Sequence, residues 1–143
     1  MPATLPPIDE IKDGFAFLDD WDDRFQYLID LGKKVPKMDP ADVTEDNRVH
    51  GCQSNVWLKL ATRPPQNGTG PTVDVIANSD AHIVNGLIAV LLSLYDGVPV
   101  DQARAADADG LVKELGLDEH LSPTRRNGLH AMIQRIKALA DAE

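Results

Sequence analysis

The chain holds one cysteine, Cys52, in 143 residues. A single thiol excludes an internal disulfide and cannot supply the four thiolates typical of iron–sulfur clusters. It also lacks the paired, closely spaced ligands of structural zinc sites. Cys52 is therefore a packing residue, an intermolecular partner or a reactive group. Basic charge is also in short supply: 14 Lys and Arg stand against 23 Asp and Glu, a formal net charge of −9. Nucleic-acid binding depends on cations displacing condensed counterions from phosphates, so that class of partner is disfavoured.

Long apolar runs are missing as well. The longest, Ile83 to Tyr95, is interrupted by Asn85, Gly86 and Ser93 and falls short of the roughly 18 residues that a membrane span requires. No membrane association is expected. The first seven residues, Met1 to Pro7, show neither a basic segment nor a continuous apolar stretch, so they do not read as a secretory signal. A cytoplasmic location follows as the expectation, and a reducing compartment would keep Cys52 as a thiol.

What is present describes one soluble domain over residues 1–143: 43% apolar and 26% charged residues are ordinary for a globular chain of this length. Ile8, Ile11, Phe15 and Leu18 recur at helical spacing, with Gly14 as an interruption. Asp20 can cap a second helix that carries Phe25, Leu28, Ile29 and Leu31 and stops at Gly32. From Val35 to Gln53 no period persists, and Pro36, Pro40, Asp46-Asn47 and Gly51 supply turn chemistry.

Val56, Leu58 and Leu60 then alternate with Trp57, Lys59 and Ala61, and Val73 to Ile76 forms a second β-rich run, which predicts an antiparallel hairpin. Ser79 or Asp80 is placed to cap a largely buried helix carrying Ile83, Val84, Leu87, Ile88, Leu91 and Leu94. Short helical pieces follow at Val100 to Ala105 and Asp109 to Leu115, the latter ended by Gly116. Ser122 and Pro123 open a closing helix with Leu129, Met132, Ile133, Ile136 and Leu139 on one stripe. Two or three strands among many helices predict an α+β fold, a small antiparallel β-sheet covered by α-helices.

Cys52 lies in His50-Gly51-Cys52-Gln53-Ser54-Asn55-Val56-Trp57. Gly51 permits a tight turn, and the β-run starts only after the cysteine, so the thiol can be presented on a loop. The alternative for a lone cysteine is a small buried apolar residue. This string, with Asn78-Ser79-Asp80-Ala81-His82 and the helix onward to Val90, resembles the SufE and CsdE family of sulfur acceptors. Trp21 to Gly32 resembles that family's early Trp-containing helix. His120-Leu121-Ser122-Pro123-Thr124-Arg125 resembles its late His-Leu-Ser/Thr-Pro-x-Arg segment. Agreement is poorest at Arg63 to Pro71 and Asp101 to Glu114.

The resemblance implies a SufE/IscU-like sandwich. It implies that Cys52 takes persulfide sulfur from a cysteine desulfurase of the SufS or CsdA kind, stimulates that enzyme, and passes the sulfur to a SufBCD-like scaffold for iron–sulfur cluster assembly. No cofactor is bound to this chain on that reading, since the pyridoxal phosphate (PLP) belongs to the partner. The chemistry agrees: transfer is thiolate displacement at sulfur and needs one accessible thiolate, with no resolving cysteine. Gln53 and Asp80 carry over as supporting residues, and Gly51 as the turn. Asp80 either accepts backbone N–H groups of the cysteine loop or caps the helix. His50 either favours the thiolate or is a loop histidine, while Arg125 either meets a carboxylate or thiolate or is a solvated first-turn residue. Other readings of Cys52 are a cysteine hydrolase, a ligand in a metal-binding module with His50 and Asp80 or His82, and an idle residue in a non-catalytic adaptor.

Overall fold

Spacing of apolar residues decides the first two helices. The computed structural model describes residues 5–49, 55–63 and 71–142. Its first helix, α1 (Ile8–Phe17), buries Ile11 and Phe15, four positions apart on one face. Gly14, expected to interrupt this helix, lies inside it. A Cβ there would sit 2.9 Å from the Tyr27 ring, so the glycine makes room for the next helix. In α2 (Trp21–Gly32) the Asp20 carboxylate accepts the Asp22 N–H at 2.9 Å, the cap that its position predicts. Leu28 and Leu31 are its buried residues.

Strands β1 (Val56–Arg63) and β2 (Thr72–Ser79) pair antiparallel, Val56 opposite Ser79 and Arg63 opposite Thr72. Alternation puts Val56 and Leu58 of β1, and Val73, Val75 and Ala77 of β2, on the buried face. The other face is held by charge, Arg63 to Asp74 at 3.0 Å and Lys59 to Asp42 at 3.2 Å. The described sheet has two strands. In place of a third there are single bridges: Arg48 to Trp57 flanking β1, and Thr72 to Pro99 flanking β2.

Helix α3 (His82–Tyr95) buries nine of its fourteen residues. It packs on β2 and carries α1 and α2 on its other side, which is why apolar residues surround it instead of forming one stripe. Gly86 sets its distance to α2: a Cβ there would collide with the Leu28 carbonyl, and one on Gly32 would lie 2.7 Å from the Gly86 nitrogen. Gly32 therefore serves the helix crossing as well as the helix end. Short helices α4 (Val100–Ala105), α5 (Ala108–Glu114) and α6 (Leu117–His120) lead to α7 (Pro123–Ala142). The turn before α6 needs Gly116, at φ +75°. Ser122 Oγ accepts the Arg125 N–H at 3.3 Å and so caps α7.

Helices α3 and α7 cover the hairpin, and every helix and both strands contribute to one contiguous apolar cluster. The fold is α+β, as expected. Residues 35–49 are mainly irregular but contain two 3-10 turns, Pro40–Asp42 and Glu45–Asn47. Cys52, His50, Gly51 and Gln53 lie outside the described residues, as does most of the loop between β1 and β2.

Candidate functional site

The site is defined by what holds the two ends of the segment that carries Cys52. On the entering side, the Val49 N–H donates to the Val56 carbonyl at 2.8 Å. Val49 is buried, so that end is fixed in the core. On the leaving side stands Asn55, one residue before β1. Its backbone N–H donates to Asp80 Oδ1 at 3.2 Å and its side-chain Nδ2 to Asp80 Oδ2 at 2.8 Å. Its carbonyl accepts from the Asp80 N–H at 3.3 Å and from Ser79 Oγ at 2.7 Å.

Asp80 thus turns its carboxylate to Asn55, and the cap position of α3 falls to Ala81, whose own side chain has nothing to donate or accept. Of the two expected caps, Ser79 comes nearer that role, accepting the Ala81 N–H at 3.1 Å. The helix start is instead stiffened from inside. Asn85 accepts the Ser79 N–H and donates to the Ser79 carbonyl, both at 2.9 Å. That reciprocal pair closes the β2–α3 corner as a backbone pair would.

Asn78 does the same for the chain that approaches the site. Its Oδ1 accepts the Met38 N–H at 2.6 Å and its Nδ2 donates to the Pro36 carbonyl at 2.9 Å. Asn55 and Asn78 stand at strand ends, where short amides replace missing backbone partners, which is the signal the sequence offers for them; Asn85 lies inside α3 and carries no such signal.

Between the end of α2, residues 35–38 and the β2–α3 corner lies an open groove of about 440 Å³. Ser79 borders it and also bonds Asn55, so groove and fastened segment share a wall. His82 is exposed on this rim.

Arg125, the remaining expected site residue that is described, and the other histidines lie elsewhere. Arg125 is half-buried in the first turn of α7, and among the described residues its guanidinium makes no hydrogen bond or ion pair. No hydrogen bond or ion pair among the described residues joins it to Asp80. His130 meets Asp109 at 3.5 Å on the surface. His120 stacks on Trp21, ring centroids 3.7 Å apart, while the Arg24 guanidinium lies 5.0 Å from that indole. Among the described residues no three His, Cys, Asp or Glu side chains converge as metal ligands would.

A model of the SufE family, described as an Fe-S metabolism associated domain, matches residues 9–140. An uncharacterized SufE-like protein of Rhizobium meliloti is 43% identical over 137 residues, 96% of each chain. Another, from Rhizobium etli, is 44% identical over 134 residues, 93% of this chain and 88% of that one. A solution structure of a hypothetical protein from Thermus thermophilus superposes with a TM-score of 0.71 at 23% identity, over 94% of this chain and 93% of that one. That likeness concerns the fold alone.

Proposed function

This chain belongs to the SufE family, and on that premise we propose that it is a persulfide sulfur carrier with Cys52 as the acceptor. The Cys52 thiolate attacks the outer sulfur of a cysteine persulfide on a PLP-dependent cysteine desulfurase. One S–S bond forms on Cys52 as the donor's S–S bond breaks, and the donor cysteine leaves as a thiolate. No net oxidation occurs, so neither an external oxidant nor a second cysteine is needed. A second displacement by a thiol of a SufBCD-like scaffold then carries the sulfur to cluster assembly. With one cysteine in the chain, the sulfur can leave only to another molecule. A reducing cytoplasm suits this chemistry because it keeps the thiol ready.

The observation that carries the proposal is the fastening of the Cys52 segment. Val49 is tied to Val56 and Asn55 to Asp80, and Cys52 is three residues from both Val49 and Asn55. Covalent reach alone keeps its Cα within about 11 Å of each. A thiol that must meet a partner's persulfide gains from such a fixed frame, since positioning lowers the entropy cost of the encounter. Asp80 supports by holding Asn55. His50, Gln53 and Arg125 are proposed as further support for the thiolate or its loop.

The test is to incubate the protein with a cysteine desulfurase, L-cysteine and PLP, remove reductant, and weigh the intact chain beside Cys52→Ser. Wild type should gain the mass of one sulfur atom and accelerate the desulfurase, and Cys52→Ser should do neither. A wild type that never gains sulfur, or a mutant that still accelerates the enzyme fully, refutes the carrier reading.

A further inference from the structure

We propose that the groove beside the β2–α3 corner receives an acidic, extended segment of the sulfur-donating protein. The inference rests on the carrier reading and specifies what the partner must present. The floor is apolar, formed by Ile29, Val35 and Met38. It is also preformed: Met38 is buried and its N–H is fixed on Asn78 at 2.6 Å. A volume of about 440 Å³ suits a few side chains of an incoming segment.

The polar wall decides the sign of the ligand. Asn78, Ser79 and Asn85 border the groove, but their side chains are engaged with Met38, Pro36, Asn55 and the Ser79 backbone. The groups left to greet a ligand are Lys33, Lys37 and His82. Lys33 meets Asp30 at 3.6 Å, a weak pair because both side chains are exposed to screening water. Among the described residues no carboxylate lines the groove. In a chain with 23 acidic residues and a net charge of −9, an acid-free rim with two lysines is a local reversal. Such a reversal favours a partner carboxylate here and repels one elsewhere on the surface. Ser79 links the groove to Asn55, so a segment seated there brings its protein alongside Asn55, three residues along the chain from Cys52.

The experiment titrates wild type and the double variant Lys33→Glu/Lys37→Glu into a cysteine desulfurase with L-cysteine and PLP, reading alanine formation at several salt concentrations. For the double variant the half-stimulating concentration should rise about tenfold while the rate at saturation changes little, because rim charges act on association. Added salt should raise the wild-type value and lower that of the charge-reversed variant, because screening weakens attraction in the one and repulsion in the other. Lys33→Ala/Lys37→Ala, with its melting temperature checked, serves if charge reversal unfolds the chain, and should shift the same quantity in the same direction. Equal half-stimulating concentrations for wild type and a folded variant overturn the groove proposal. So does sedimentation showing that the substitutions merely dissolve a dimer of this chain. Failure of wild type to stimulate or gain sulfur strikes the carrier reading instead, and this inference with it.

Discussion

Asn55 meets Asp80 through both its backbone and its side-chain amide, at 3.2 and 2.8 Å, and so fastens the end of the Cys52 segment to the β2–α3 corner. The pair is charge-assisted but exposed, which limits its contribution to about 1 kcal/mol. Asp80→Ala should therefore raise the open population of that end about fivefold. Alkylation of Cys52 by iodoacetamide, followed by mass spectrometry, should quicken by a similar factor. Asp80→Asn, which retains one acceptor oxygen, should fall between. An unchanged alkylation rate in Asp80→Ala would mean that this fastening does not govern access to the thiol.

The α2–α3 crossing sets the position of both the groove and the corner. A Cβ on Gly86 would overlap the Leu28 carbonyl oxygen, and backbone, unlike a flexible side chain, has little room to yield. Gly86→Ala should cost about 2–3 kcal/mol, lowering the melting temperature by about 6–10 °C for a chain of this size. Gly97→Ala is a useful contrast. Nothing lies within 4 Å of a Cβ there, yet φ is +77°, so its cost should be the smaller one of backbone strain, about 1 kcal/mol. Thermal melts followed by circular dichroism would rank the two.

Hydrophobic period made most of the fold legible. The hairpin, the buried α3 and the closing α7 all stand where apolar spacing places them, since burial on two faces or one leaves a pattern in the chain. Glycines are less legible. Gly14 reads as an interruption but lies inside α1, and Gly32 ends α2 as expected, yet the close neighbour that each admits, Tyr27 or the Gly86 backbone, is not written around it. Such contacts are between residues far apart in sequence and leave no local signal. The same limit applies to Asn78, whose partners Pro36 and Met38 lie some forty residues away. Asp80 is legible as an acid able to accept N–H groups of the cysteine loop or to cap the helix, but Asn55 as the particular donor is not, because only the hairpin register brings the two together. The short α6 is not legible either: four residues are too few to show a period.

Asp96 gives a pH-dependent prediction. Burial raises its pKa above the ordinary 3.8, more than the Val75 N–H bond to its carboxylate at 2.9 Å lowers it. A carboxyl with a raised folded value binds its proton more tightly in the native state. Its stabilising effect is complete below 3.8 and fades as pH climbs through the raised value. Asp96→Asn keeps an oxygen for Val75 and removes the charge. Its stability relative to wild type should therefore rise as pH increases from about 3 toward neutrality, measured by urea unfolding at each pH. A constant difference across that range would show that ionisation of Asp96 is not felt.

Tyr95 completes the set, and its two consequences come from one atom. The residue is fully buried at the end of α3, and its hydroxyl is the buried side-chain polar atom without a hydrogen-bond partner among the described residues. Such an orphan costs about 1–3 kcal/mol of desolvation. Tyr95→Phe removes the hydroxyl and keeps the ring, so it should stabilise the protein by about 1 kcal/mol at neutral pH. The same burial, reinforced by Asp109 and Asp107, pushes the phenol from 10.0 up to about 12. With the folded value above the unfolded one, the neutral phenol supports the native state fully below pH 10, and that support is lost as pH rises to about 12. The wild type should lose on the order of 2 kcal/mol over that interval through this residue, and Tyr95→Phe should not. Urea midpoints of both proteins at about pH 7, 10 and 12 separate the effects. A variant less stable at neutral pH would mean that the hydroxyl has a partner, such as an ordered water, that offsets its burial.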